Sequence, residues 1–171
     1  MLTLLLLRHA KSSWDDASLK DFDRPLAPRG GTAAPRVGAY LAEQGLAPEL
    51  VLCSPAVRAR QTLDLVLPHL AGGPTVVYED SLYLAAPSVL LARLRKIEGK
   101  VRRVMVIGHD PGMQGLALEL SGTGDPKMLQ ALAGKFPTAA CAVIRFKARE
   151  WAKIGPAKGR IELFVTPKML A

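Results

Sequence analysis

Residues 2–12 read LTLLLLRHAKS, and this stretch decides the fold. From Leu2 to Leu7 every side chain is apolar except Thr3, and polar residues begin at once with Arg8. A strand with one wet face alternates apolar and polar residues. An unbroken apolar run of this length is instead the pattern of a strand covered on both faces, which is the situation in a mainly parallel sheet. Working outward, Leu50–Cys53, Thr75–Tyr78 and Val104–Ile107 repeat the pattern as short apolar runs bounded by turn residues.

Helical stretches separate them. Gly30-Gly31 opens one over Thr32–Glu43, with Pro35 in its first turn and Gly45 as its stop. Ser54-Pro55 opens the next, Ser as N-cap and Pro as first helical residue. Pro87–Ile97 carries Leu90, Leu91 and Leu94 on one side and Arg93, Arg95 and Lys96 on others, an amphipathic pattern. Gly112–Leu120 and a shorter Pro126–Ala133 follow, while Ser12–Arg29 reads as a long polar loop. Ala142–Phe146 and Arg160–Val165 are two closing strands, expected to pair as a hairpin at a sheet edge. Strand and helix alternate, which predicts an α/β fold: a three-layer sandwich with a mainly parallel sheet and helices on both faces.

The 171 residues fit one domain, without repeat, linker or low-complexity tract. A hydrophobic content of 49% excludes a disordered chain. No apolar run reaches the ~18 residues of a membrane span, and Leu2–Leu7 lacks the basic leader of a secretory signal, so a cytoplasmic protein is expected. Cys53 and Cys141 lie in apolar runs without CxxC spacing and read as buried free thiols. The net charge is +8, and from Cys141 onward seven basic residues face two acidic ones. That field favours anionic partners. Aromatic content of 5% leaves few stacking platforms for single-stranded nucleic acid, so no nucleic-acid partner is expected.

Ligands of open α/β sheets bind beyond the carboxyl ends of the strands. Here those ends carry Arg8-His9, Ser54-Pro55 with Arg58 and Arg60 just after, Glu79-Asp80, and Gly108-His109-Asp110. Two of the three histidines and at least two arginines therefore converge on one rim. Arginine forks suit phosphate oxygens, and a neutral imidazole is a competent nucleophile. The cationic neighbours oppose a metal ion, and the carboxylates a magnesium or calcium site needs are lacking. Phosphate binding without metal or other cofactor is expected.

Three motifs on these strand ends carry a resemblance. LLLLRHAKSSW resembles the RHG-type motif of the histidine phosphatase superfamily, with Ala10 in place of the usual Gly. SPAVRARQT is similar to its second motif, SPxxRAxQT, at Ser54, Pro55, Arg58, Ala59, Gln61 and Thr62. VIGHDPGM resembles the third. DRPLAPRG, KFPTAACAVIRF and Trp151 further resemble the SixA-like phosphohistidine phosphatases, compact members without an inserted cap. The likeness runs from about residue 2 to 165 and implies a phosphoglycerate mutase-like fold. It implies that His9 attacks phosphorus and becomes a transient phosphohistidine, while Arg8, Arg58 and His109 hold the phosphoryl oxygens. Lys11 and Ser12 are further candidates to line the pocket. His9 needs an acceptor for its second nitrogen, and a backbone carbonyl near Gly30 is the expected one.

Many relatives that cleave alcohol esters carry an acid after the third strand. Here Leu84 falls at or near that place, and Ser81 through Ile97 contain no acid. Glu79 and Asp80, slightly earlier, are the candidate proton donors. An alkoxide needs that proton to leave, whereas an imidazole, whose conjugate acid has a pKa of about 6.5, leaves far more readily. The expected substrate is therefore phosphohistidine in a phosphotransfer or signalling protein, with inorganic phosphate as product. A small sugar or nucleotide phosphomonoester is the second reading, and a phospho-ligand binding module without turnover the third. Elsewhere, Trp14 reads as loop packing and Arg24 as a partner of Asp21 or Asp23. A direct phosphate contact is the alternative for Arg24, and Arg29 carries the same two readings, while Arg60 and His69 read as surface residues and Trp151 as a core anchor. The basic residues from Arg93 to Arg103 read as a solvated face or a docking site for an acidic domain.

Overall fold

The computed structural model describes residues 1–171. Seven strands form one sheet: β1 (Leu2–Arg8), β2 (Leu50–Cys53), β3 (Thr75–Tyr78), β4 (Arg103–Gly108), β5 (Ser121–Gly124), β6 (Cys141–Phe146) and β7 (Gly159–Val165), in the order β3-β2-β4-β1-β6-β7-β5. Five α-helices cover it: α1 (Pro28–Glu43), α2 (Val57–Val66), α3 (Pro87–Leu94), α4 (Gly112–Leu120) and α5 (Pro126–Gly134). β3, β2, β4 and β1 are parallel neighbours, and β6 alone runs against its neighbours β1 and β7.

β1 lies in the middle, and its apolar run divides by the pleat. Leu2, Leu4 and Leu6 enter the core under α3, α4 and α5, which also holds Leu90, Leu116, Leu120, Phe136 and Trp151. Leu5 and Leu7 enter the core under α1 and α2 with Val37, Leu41, Leu63 and Val66. Side chains of alternate residues point to opposite faces of a strand, so a strand covered on both sides must be apolar at every position. Trp151 is fully buried, and its indole N–H donates to the Val101 carbonyl at 2.7 Å. Both cysteines are buried and free, and burial pushes each thiol up to about 12.

Several boundaries differ from the sequence reading. The loop after β1 ends at Ala27, because Pro28 takes the first position of α1, where a missing N–H costs nothing. Pro35 therefore lies inside the helix rather than in its first turn. A short 3-10 turn, Asp21–Asp23, interrupts the loop. α2 starts at Val57, and Ser54 makes no N-cap contact to its first turn. The two closing strands do pair antiparallel, but β6 lies beside β1, and the edge beyond β7 is taken by β5, a strand the sequence did not suggest.

Gly30 does not open α1. It lets the helix approach the chain after the strand: a Cβ there would fall 2.2 Å from the Lys11 carbonyl oxygen. Backbone cannot retreat as a side-chain tip can, so Gly30→Ala should cost about 1–3 kcal/mol as an overpacking defect. Denaturant titration would show this as a lower midpoint, and an unchanged midpoint would mean that the Lys11 segment yields freely.

Candidate active site

The four residues at the strand ends are brought together. β1 and β4 are in register to Arg8 opposite Gly108, and β2 ends beside β4 with Cys53 opposite Ile107. The His9 amide donates to the Gly108 carbonyl at 3.0 Å, and the Ser54 amide to the Ile107 carbonyl at 3.0 Å. His9, Ser54 and His109 thus leave three adjacent strands on one rim. The His9 and His109 ring centroids are 5.1 Å apart.

His9 is 6% exposed. Its Nδ1 lies 2.7 Å from the Ala10 carbonyl oxygen. A carbonyl only accepts, so in the neutral ring Nδ1 carries the proton and Nε2 the lone pair. The acceptor is thus the adjacent residue's own carbonyl, and the expectation of one near Gly30 is corrected. The Ala10 amide in turn donates to Thr62 Oγ1 at 2.9 Å, and that hydroxyl donates to the Arg58 carbonyl at 2.7 Å. Gln61 Oε1 accepts from the Leu26 amide at 2.8 Å. The Gln-Thr pair after Arg58 therefore ties α2 to the chain on either side of the loop that follows β1.

Arg58 is 2% exposed and connects both imidazoles. Its Nε donates to His9 Nε2 at 3.3 Å, and one terminal nitrogen lies 3.3 Å from His109 Nδ1. Because guanidinium nitrogens only donate, His109 Nδ1 accepts, and its Nε2 faces Ser54 Oγ at 2.7 Å as donor. The rest of the Arg58 fork is held by Asp21: 2.6 Å to its backbone oxygen and 2.9 Å to its carboxylate. Asp21 also takes Arg24 at 3.0 Å and the Tyr83 hydroxyl. Burial would raise the Asp21 carboxyl, but bonds from Tyr83, Arg58 and Arg24 outweigh it and hold it below the usual carboxylate range.

Arg8 donates to the Phe136 carbonyl at 2.8 Å, and its Nε is buried without a partner. Ser12 is buried and accepts from Arg24 at 2.8 Å. Lys11 is exposed. Glu79 is engaged by Arg93, whose Nε lies 2.9 and 2.8 Å from its two carboxylate oxygens, and Asp80 starts a 3-10 turn as an exposed residue. Leu84, where ester-cleaving relatives carry an acid, is 55% exposed with φ at 51°. Trp14 is 70% exposed and covers the Arg24 guanidinium at 3.5 Å, so it stacks on the loop's cation. Arg29, Arg60 and His69 are surface residues.

Sequence reasoning overlooked the hold of Asp21 on Arg58 and the hydroxyl of Tyr83. Both lie in loops, where spacing carries no geometric information. The one usable signal was an acid three residues before Arg24, a spacing that closes over a single turn.

Burial pushes the His9 imidazole down to about 4; the Ala10 bond opposes this, and the charges of Arg58, Arg8 and Arg24 add to it. His109 is pushed down to about 3, by burial first and then by His9 and Arg58. Both rings are therefore neutral at pH 7. The acid limb of kcat/KM, which reports the free enzyme, should lie well below pH 6. A limb near 6.5 that is not the substrate's own titration would contradict a buried, neutral His9. The same shifts bear on stability. The unfolded chain binds more protons between the ordinary value of 6.5 and these folded values. Stability is therefore full above about 6.5 and falls as pH drops toward 4.

Comparisons with known proteins agree with this geometry. Residues 4–82 match the model of the histidine phosphatase superfamily (branch 1). A protein of Mycobacterium tuberculosis is 38% identical over 165 residues, covering 95% of this chain and all of that one. The fold is similar to that of a protein of Agrobacterium tumefaciens assigned as the phosphohistidine phosphatase SixA, with a TM-score of 0.82 at 30% identity over 97% of this chain and 98% of that one. The protein histidine phosphatase SixA complexed with tungstate gives a TM-score of 0.77 at 25% identity, over 99% and 100% of the two chains. The chain belongs to the histidine phosphatase superfamily. Within it the chain is SixA-like, with the phosphoglycerate mutase-like α/β fold, and it is a phosphatase.

Proposed function

We propose that the protein removes phosphate from a phosphohistidine through a second phosphohistidine formed on His9. The observation that carries this reading is the orientation of His9: Nδ1 is anchored on the Ala10 carbonyl, and Nε2 presents its lone pair beside the Arg58 guanidinium. His9 Nε2 attacks phosphorus, and the phosphorus–nitrogen bond of the substrate breaks. The leaving imidazole takes its proton from solvent. Water then attacks phospho-His9, which releases inorganic phosphate and the free ring. Arg58 and the unpartnered Arg8 Nε supply donors to the phosphoryl oxygens, and charge stabilisation of this kind is the main work of phosphoryl transfer. A bound dianion favours the protonated form of a nearby imidazole, so His109 becomes a further donor when phosphate is present. Lys11 is an outer contact for the substrate. Ser12 orients Arg24 and through it Asp21.

The leaving group decides between substrates. Glu79 is occupied by Arg93, and no acid stands at Leu84. This supports a substrate whose leaving group needs no proton donor from the protein. The donor set of two histidines among arginines requires no metal in this chemistry. One sheet carries elements from Leu2 to Val165, in keeping with one domain and no inserted cap. No helix is long and apolar enough to cross a membrane, and a cytoplasmic phosphoprotein is the substrate this reading names.

The test compares kcat/KM on a histidine-phosphorylated phosphotransfer domain with values on sugar and nucleotide phosphomonoesters. The expected result is a preference for the phosphohistidine by an order of magnitude or more. A preference for one small ester would keep the His9 chemistry and would mean that Glu79 or Asp80 reaches the leaving oxygen.

A further inference from the structure

A broad concavity lies beside the site, not on it. It measures about 800 Å³ and is bordered by the first turns of α1, the segment from Lys135 to Thr138 and the 3-10 turn Pro167–Leu170. Five cations line it: Lys11, Arg29, Arg36, Lys135 and Lys168. No acidic side chain borders it, although the backbone end at Ala171 does. All five are exposed, and none forms an ion pair or a side-chain hydrogen bond within the chain. The basic surface from Arg93 to Arg103 is mixed: Arg93 is bound to Glu79, Arg95 to the Ile154 carbonyl, Lys100 to Glu98 and Arg102 to the Arg149 carbonyl, while Lys96 and Arg103 are free.

The cleft also shares its walls with the catalytic rim. Lys11 follows His9 by two residues. The Lys135–Thr138 segment contains Phe136, whose carbonyl holds Arg8, and leads into Ala139, whose amide donates to the carbonyls of Arg8 and His9. An occupant of the cleft is therefore held next to a group presented to His9.

We propose that this cleft docks an acidic segment of the phosphorylated protein substrate. The proposal rests on the phosphohistidine reading of the site. The chemistry favours carboxylates on a chain over a second phosphate group of a small molecule. A phosphate subsite is built from buried, preorganised donors, as around Arg58. Here the cations are solvated and come from separate segments, which suits several carboxylates spaced along a polypeptide. Such contacts raise encounter rate and lower KM without touching the chemical step.

Two synthetic phosphohistidine peptides, identical except for glutamates or glutamines beside the phosphohistidine, test this. With wild-type protein at low salt the Glu peptide should show a KM lower by roughly fivefold, the sum of a few exposed ion pairs, with equal kcat. The gap should close at high salt, where exposed charges are screened. It should also close in an Arg36→Gln, Lys135→Gln, Lys168→Gln triple variant, which should turn over the Gln peptide like wild type. Anisotropy of the unphosphorylated, labelled Glu peptide should report the same loss of binding in that variant. Equal KM values for the two peptides, or an advantage that survives in the triple variant, would overturn the proposal. If neither phosphopeptide is turned over, the phosphohistidine reading fails. The anisotropy arm still decides the cleft: equal binding to wild type and variant overturns it.

Discussion

Replacing His9 by alanine should lower kcat by on the order of 10⁶-fold, the scale on which loss of a nucleophile is felt, and should abolish the acid-labile phosphoenzyme. The expectation follows from the bonds of the ring. Nδ1 is fixed on the Ala10 carbonyl, Ala10 is fixed on Thr62, and Thr62 is fixed on the Arg58 carbonyl. No other imidazole can take over: His109 directs Nε2 to Ser54 and Nδ1 to Arg58. Because the ring is neutral with its proton on Nδ1, a nucleophilic His9 needs no base to free Nε2. Rapid quench with labelled substrate and alkaline gel analysis would read the intermediate directly. Retained turnover, or label trapped on another residue, would remove His9 from the role. A second variant guards against a folding defect: His9→Asn keeps a polar side chain of similar reach and should be equally inactive.

Much of this was legible in the sequence, for reasons that differ by element. The unbroken apolar run of β1 identified a strand covered on both faces, and its leucines divide between the two cores as a period of two requires. β3 and α4 fell on the residues expected, since turn residues bound both. The convergence of Arg8, His9, Arg58 and His109 was readable because parallel strands deliver their carboxyl ends to one rim. What escaped reading was decided by tertiary contacts. β5 has the sequence SGTG, without a single β-branched residue except Thr123, and exists because β7 offers it an edge. A Cβ at Gly122 would meet the Ala157 carbonyl oxygen at 2.0 Å, so the glycine that hides the strand from propensity also permits the close approach. Ser54 looked like a helix cap, but its hydroxyl serves His109. Gly30 looked like a helix opener, yet its missing side chain lets α1 approach Lys11.

Arg58→Ala should cost about 10²–10³ in kcat, the range for removing one preorganised donor to developing charge. Several features argue for the upper end. The guanidinium is nearly inaccessible to solvent, so water cannot replace it cheaply. It aligns both imidazoles, with Nε on His9 and a terminal nitrogen on His109. Its remaining bonds to Asp21 fix the fork before substrate arrives, so little reorganisation is left for the reaction. Arg58→Lys separates these contributions. An ammonium restores charge but not the planar fork, so it should recover only a small part of the lost rate. Asp21→Asn supplies the complementary measurement. It keeps Arg58 and its charge but weakens the carboxylate that holds it, and should lower kcat far less than Arg58→Ala. A near-wild-type rate for Arg58→Ala would place the phosphoryl oxygens on Arg8 and His109 alone. Equal losses for Arg58→Ala and Asp21→Asn would instead mean that geometry, not charge, is what Arg58 contributes.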